Sequence, residues 1–272
     1  ELLLCAAVVC TTHGTYQTFY YSQTNFLALL AVLLFWRSID SIAGGAWIAI
    51  AVFVKPLLAL LAIGPVLARR WRVVVGFGVA SLVLLLASVI AFGPATFVDY
   101  FTRDPLTSKP DWIYSQPTNQ SLLGLVLRAT QTTCSGAGCV LNPVFLGLAL
   151  LMTAVTVVIG VALTRAKEAH WALSLFLLLG LIVYPVSQLF YSVLLIPPAL
   201  MLWQRRGRIA GGMWTVAVVL AIVQSLAALY AGRQAVYAYL LMWLVIAILG
   251  ARLAQGRGWP LRSSERLDVQ RA

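Results

Sequence analysis

An ammonium group sits in the middle of an apolar run. The stretch GAWIAIAVFVKPLLALLAIGPVLARRW, residues 45–71, carries Lys55-Pro56 near its centre and an arginine cluster at its end. A charged side chain inside a membrane-length segment is costly, and by default it marks a functional position. The proline that follows removes a backbone donor and turns the residue before it away from helix. Two readings of Lys55 stand. It snorkels to the interface, or it stands at the outer end of a cavity and faces an anion. A point charge on a flexible stem suits a phosphate. No membrane span predicted below carries an acidic residue, so the partner would be a ligand phosphate or a group upstream of Glu1.

Other polar residues are few enough to be taken one by one. In THGTYQTFYYSQTNFLALL, residues 12–30, Ser22 or Thr24 could cap a helix whose first turn holds Asn25. Tyr16, Phe19, Tyr20 and Tyr21 suit either an interfacial aromatic belt or a sugar platform, since pyranose rings bind aromatic faces and amides. His13 beside them is a lone histidine without an evident role. Asn119-Gln120-Ser121 begins an amphipathic run over 121–127, where Asn119 or Ser121 could be a helix cap. Its apolar residues Leu122, Leu123, Val126 and Leu127 fall at helical spacing and could lie on the membrane surface. Asp99, Asp104 and Asp111 could be general bases or solvated surface charges. Cys134 and Cys139 flank the short loop CSGAGC and could form a disulfide in an oxidising compartment. With no other cysteine or histidine nearby, a metal site is not expected there, whereas Cys5 and Cys10 read as small hydrophobes. There is no GxSxG, HExxH, phosphate-binding glycine loop or dinucleotide fingerprint, which excludes those soluble-type active sites.

The elements that position these residues follow from composition. At 61% hydrophobic and 10% charged, with recurrent apolar runs of membrane-spanning length, the chain is not a soluble domain. The net charge of +11 does not point to nucleic acid, because the cations sit between the apolar runs as cytoplasmic loops do. Those cations are Arg37; Arg69, Arg70 and Arg72; Arg165 and Lys167; Arg205, Arg206 and Arg208; and the tail from Arg252 to Arg271. Residues 93–141 balance Arg103, Lys109 and Arg128 against the three aspartates, and are placed on the outside.

With each basic cluster cytoplasmic, topology becomes counting. A span over 25–36 comes in, 73–92 goes out, 142–164 returns, 209–229 goes out and 236–253 returns. Between Arg37 and Arg69 the chain crosses too little length for two full spans, so a short hairpin is expected with its apex at Lys55-Pro56. A second is expected over 171–203 with its apex at YPVSQ, residues 184–188. Irregular backbone at membrane depth is tolerated only in protein or beside a wet cavity, so both apices point to a cavity open to the outside. The expected fold is an all-α polytopic transmembrane bundle, residues 1–254, with two broken-helix hairpins and an external loop over about 93–141. A basic, disordered cytoplasmic tail covers 255–272. The absence of a basic, signal-like start reads as the C-terminal part of a longer chain.

Five stretches in order, SQTNFLALLAVLLFWR, GAWIAIAVFVKPLLALL…ARRWR, FGPATFVDYF, NQSLLGLVLR and YPVSQLFYSVLLIPPALML, resemble glycosyltransferase family 87 over residues 20–202. That family belongs to the GT-C superfamily and is similar to α-1,2-mannosyltransferases that use polyprenyl-phosphate-mannose. The resemblance implies a substrate-binding role for Gln23 and Asn25, which keep the family's G-Q-x-N pattern while Ser22 replaces its glycine. It implies the same for Asn119 and Gln120 in N-Q-S, and for Ser187 and Tyr191 in the YPVSQLFY stretch. Gln188 and Phe190 there replace the family's tryptophan and histidine. Lys55-Pro56 matches the family's K-P pair, which makes Lys55 the expected ligand of the donor phosphate. The catalytic aspartate of the family looks to lie in a first external loop, outside this chain.

The resemblance implies an inverting hexosyltransferase of the cell membrane, multi-pass, with its site facing the extracytoplasmic side. Its donor would be a polyprenyl-phosphate sugar, mannose first, and its acceptor a glycolipid or glycan. No metal or other cofactor is required, because a substituted phosphate already leaves as a weakly basic anion. The rival reading is a transporter or flippase for an anionic lipid or solute, which also uses broken helices.

Overall fold

A computed structural model of the chain describes residues 23–102, 110–132, 134, 137–204 and 238–255. These residues are mostly helical, with no strand among them. Helix α1 runs Asn25–Arg37 and α2 Ile42–Val54, followed by a 3-10 helix, Pro56–Ala62, and α3, Ile63–Leu67. Next come α4, Trp71–Phe92; α5, Pro94–Thr102; α6, Trp112–Ser115; α7, Leu122–Thr130; and α8, Ala137–Val140. Then follow α9, Pro143–Arg165; α10, Ala169–Val183; a second 3-10 helix, Leu189–Leu195; α11, Ile196–Gln204; and α12, Ala238–Ala254.

The break at Lys55-Pro56 forms where the sequence put it. Lys55 is extended (φ −143°, ψ 99°), as a residue before proline must be, while its own N–H still donates to the Ala51 carbonyl at 2.8 Å. The chain truly turns back there. Ile42 at the start of α2 lies against Gly76 near the start of α4, and Gly45 lies against Val73 and Phe77. Arg70 holds the same end closed, donating to the Ile39 carbonyl at 3.1 Å and pairing with Asp40 at 3.0 Å. The path from residue 42 to residue 70 therefore starts and ends at one level. At 1.5 Å per residue, α2 carries Lys55 about 20 Å away from that level. The 3-10 helix and α3 return over about 21 Å. The outward and return legs match, and both stop short of the roughly 30 Å hydrocarbon thickness.

The second hairpin has the same form. α10 ends at Tyr184 before Pro185, and after residues 184–188 the 3-10 helix and α11 come back. Ser174 on α10 donates to the sulfur of Met201 on α11 at 3.7 Å, so the two legs are antiparallel about residues 187–188. His170 at the start of α10 stacks on Trp36 at the end of α1, ring centroids 5.0 Å apart. The ends bearing Arg37, Arg70 and His170 thus gather at one end of the bundle, and both helix breaks lie at the other. Gly180 lets the first 3-10 helix in against α10, since a Cβ there would meet the Leu57 carbonyl.

Two helices, Trp71–Phe92 and Pro143–Arg165, are long and apolar enough to cross a membrane. Neither is a soluble core helix: on α4 only Val73 and Gly76 are buried, while Val79, Leu82, Leu86 and Ile90 face outward among the described residues. An apolar helix uncovered by protein is at home in lipid. α9 starts on Asn142, whose side chain accepts from Val144 N and Phe145 N at 3.0 and 3.1 Å, with Pro143 in the first turn. α12 covers α9 and α10, and its Trp243 donates to Thr156 on α9 at 2.9 Å.

One expectation is corrected. Leu122, Leu123, Val126 and Leu127 do not lie on a membrane surface; they are buried, and α7 packs on α9 and α10. An apolar stripe of that size looks the same in sequence whether lipid or protein covers it. Cys134 and Cys139 are joined in a disulfide between α7 and α9. The Arg205, Arg206 and Arg208 cluster, the expected span over 209–229 and the basic tail lie outside the described residues, as do Cys5, Cys10, His13, Tyr16, Phe19, Tyr20, Tyr21, Ser22, Arg103, Asp104 and Lys109.

Replacing Gly45 with leucine should drive α2 and α4 apart at Val73 and Phe77. Thermal unfolding of the detergent-solubilised full-length protein should show a loss of about 1–3 kcal/mol. Gly78→Ala on α4, where a Cβ meets nothing within 4 Å, should leave the midpoint unchanged or raise it.

Candidate functional site

The end of the bundle opposite the basic cluster holds the polar residues singled out in the sequence. Lys55 is half-buried at the turn of the first hairpin. Its ammonium donates to Gln23 Oε1 at 3.1 Å, just before α1, and lies over the Tyr191 ring, 4.9 Å from its centroid. A cation within about 6 Å of an aromatic face is attracted by the ring quadrupole, the more so when water is scarce. Neither contact neutralises the charge, because an amide oxygen and a π face are both neutral. The two contacts hold the ammonium at the first helix break. Tyr191 belongs to the 3-10 helix of the second hairpin, so the two helix breaks meet at this cation.

Asn25 is fully buried in the first turn of α1, and Thr24 takes the cap position without a side-chain cap bond. Gln23, Lys55 and Tyr191 are therefore one cluster, drawn from three separate stretches of sequence.

A second cluster adjoins it. Asn119 and Gln188 form an isolated antiparallel bridge, and Gln120 N donates to the Ser187 carbonyl at 2.7 Å. Asn119 is the staple. Its Nδ2 donates to the carbonyls of Tyr114 and Pro185 at 2.8 and 3.0 Å, and its Oδ1 accepts from Ser121 N and Ser187 N at 3.2 and 3.0 Å. Four bonds use both amide protons and both carbonyl lone pairs. The side chain has no hydrogen-bonding capacity left for a ligand, so the substrate contact implied for Asn119 gives way to a scaffold role. Ser121 is the cap of α7, accepting from Gly124 N at 3.1 Å, and its hydroxyl donates to the Pro185 carbonyl at 2.9 Å.

Gln120 and Ser187 differ from Asn119. Gln120 Nε2 donates to the Pro117 carbonyl at 3.0 Å, but its Oε1 is buried without a hydrogen-bond partner. Ser187 is wholly buried, and its Oγ has no partner either. Each such group costs about 1–3 kcal/mol if left unmet.

Several participants were not picked out from sequence. Gln188 accepts from the Thr118 hydroxyl at 2.8 Å, and its carbonyl accepts from Tyr191 N at 2.9 Å and from the Tyr239 hydroxyl at 2.7 Å. Arg128 donates to the carbonyls of Gln116 and Asn119 at 2.7 and 2.9 Å, tying α7 to the segment before it. A tyrosine hydroxyl at the head of the apolar run AYLLMWLVIAILG needs a partner; that was the available signal for Tyr239. Arg128 was visible only as one charge in a neutral loop. Asp99 and Asp111 are exposed.

An apolar helical protein whose two helix breaks bring a cation, an aromatic face and amides together at one end is a membrane protein with a candidate anion site. Residues 1–192 match the family model described as glycosyltransferase family 87, and the chain belongs to that family. Membership makes it a glycosyltransferase, with a sugar donor and an acceptor as its substrates. No curated protein and no solved structure matches the chain.

Asn119→Ala should strand two carbonyls and two N–H groups. Asn119→Asp cannot donate to the carbonyls of Tyr114 and Pro185. Both should lower the thermal unfolding midpoint of the full-length protein, by about 2–4 kcal/mol in stability. A pure ligand contact would leave the midpoint of either variant where it is.

Proposed function

We propose that this protein transfers a hexose, mannose in the first place, from a polyprenyl-phosphate donor to a glycolipid or glycan acceptor on the extracytoplasmic face of the cell membrane. The single observation that carries this reading is Lys55, an ammonium at the first helix break whose side chain meets Gln23 and the ring face of Tyr191 from the second hairpin. A lipid-linked donor brings its phosphate into the membrane's polar boundary, where such a cation can meet it.

The acceptor oxygen attacks the anomeric carbon as the bond from that carbon to the phosphate oxygen breaks, and the configuration inverts. The bonding pair leaves with the polyprenyl phosphate, which gains one negative charge. The acceptor proton passes to a carboxylate, expected from the family resemblance outside this chain. Lys55 offsets the growing charge, so its attraction is stronger in the transition state than in the bound donor, which is what accelerates the step. A unit charge 4 Å away, at an effective dielectric near 20, is worth about 4 kcal/mol. Gln23, Asn25 and Gln120 supply the neutral contacts that a sugar ring requires. The multi-pass GT-C arrangement, with both hairpins rising from the cytoplasmic side and their breaks toward the outer side, is supported by basic residues gathering at one end of the bundle.

In membranes carrying the full-length protein and labelled polyprenyl-phosphate-mannose, Lys55→Ala should lower kcat about 100- to 1000-fold. Lys55→Arg should retain more than Lys55→Ala. Undiminished transfer by Lys55→Ala would remove the lysine from the reaction. Ion-gradient-driven lipid uptake without any sugar transfer would favour the transporter reading instead.

A further inference from the structure

We propose that Gln120, Ser187 and Gln188 form an uncharged subsite that reads hydroxyl groups on the donor's sugar ring, a reading that rests on the sugar-transfer function above. Three polar atoms carry it. Gln120 Oε1, Ser187 Oγ and Gln188 Nε2 are all buried, on residues 4%, 0% and 7% exposed, and none has a hydrogen-bond partner among the described residues. Such groups are rare in folded proteins, and each calls for an explanation such as a ligand or a bound water. Here three fall on residues joined backbone to backbone by the bridge between Asn119 and Gln188 and by Gln120 N to the Ser187 carbonyl.

Their surroundings are held firmly. Asn119 spends its whole side chain on this junction, and Tyr239 fixes the Gln188 carbonyl from α12. One half of the Gln188 amide is used on Thr118 and the other half is left. The remaining set is an acceptor, a donor and a hydroxyl able to do both, with no charge among them. Neighbouring hydroxyls of a sugar ring offer the matching pattern, whereas a phosphate would find only part of it. Rejection is then strong for analogues lacking a matched hydroxyl, because the buried protein groups stay unmet.

The donor sugar is favoured over the acceptor by position. The Gln188 carbonyl takes the N–H of Tyr191, whose ring lies against the Lys55 ammonium. The subsite therefore adjoins the place proposed for the phosphate, and in the donor the sugar is bonded directly to that phosphate. Gln188 is the new assignment: it stands where the family resemblance has a tryptophan, and it changes an aromatic surface into a hydrogen-bonding one.

The test uses full-length protein in liposomes, with polyprenyl-phosphate-mannose and its monodeoxy analogues as donors and methyl α-mannoside as acceptor. Ser187→Ala removes the hydroxyl but keeps the backbone bonds of residue 187. The expected result is a donor KM raised about fivefold with kcat within twofold, a thermal midpoint unchanged or raised, and one monodeoxy donor whose KM no longer differs between wild type and variant. A donor KM that does not move, an equal shift for every donor, or a rise confined to the acceptor KM would overturn the subsite. Wild-type transfer in the same assay, abolished by Lys55→Ala, carries the underlying function separately, so loss of one reading is distinguishable from loss of the other.

Discussion

The architecture depends on one contact, the Lys55 ammonium resting over the face of Tyr191. A lysine about 20 Å up a helix from the basic end of the bundle has too short a stem to reach the water beyond that end. It must find its company inside the fold. Gln23 and Tyr191 supply part of that company, and in doing so they tie together three segments far apart in sequence. The two prolines make the meeting possible. Pro56 stops α2 at the lysine, and Pro185 opens the backbone that α10 would otherwise close, so each hairpin ends in groups that a continuous helix would have hidden.

The polar junction beside this contact works by satisfaction and by its absence. Asn119 has every hydrogen bond it can make, and that completeness is what makes it a staple between the loop and the second hairpin. Beside it in the chain or across the bridge lie Gln120, Ser187 and Gln188, each with a buried atom left over. Saturated and unsaturated polar groups share one junction: the first kind fixes the backbone, and the second kind keeps hydrogen-bonding capacity unspent. A buried group without a partner is unfavourable in a low-dielectric setting, so its persistence beside a rigid staple is evidence of use rather than of slack.

Much of this was legible in the sequence. Arginine spacing and proline positions gave both hairpins and their apices, because the energetic cost of membrane-depth charge and of a missing amide donor leaves few alternatives. Ser121 as a cap, the Cys134–Cys139 pair, and the ends of α4, α9 and α12 followed from equally local rules. Long-range identities were not legible. Nothing local distinguishes a leucine stripe that meets lipid from one that meets α9 and α10, and so the α7 surface was misplaced. Nor does an N-Q-S triplet reveal that its asparagine is consumed by the backbone of Tyr114, Pro185, Ser121 and Ser187 while the glutamine beside it is not. Only the fold decides which of two adjacent amides is spent. The same holds for Tyr239, which reaches Gln188 across more than fifty residues of chain.

The central claim is that Lys55, presented by the first hairpin and backed by Tyr191 of the second, receives the phosphate of a lipid-linked ligand. The most direct measurement is an electron-microscopy structure of the full-length protein with bound polyprenyl phosphate. The account requires the phosphate at salt-bridge distance from the Lys55 ammonium, with Gln23 displaced or shared and the Tyr191 ring still beneath the cation. A phosphate bound elsewhere, with Lys55 still seated on Gln23, would contradict it.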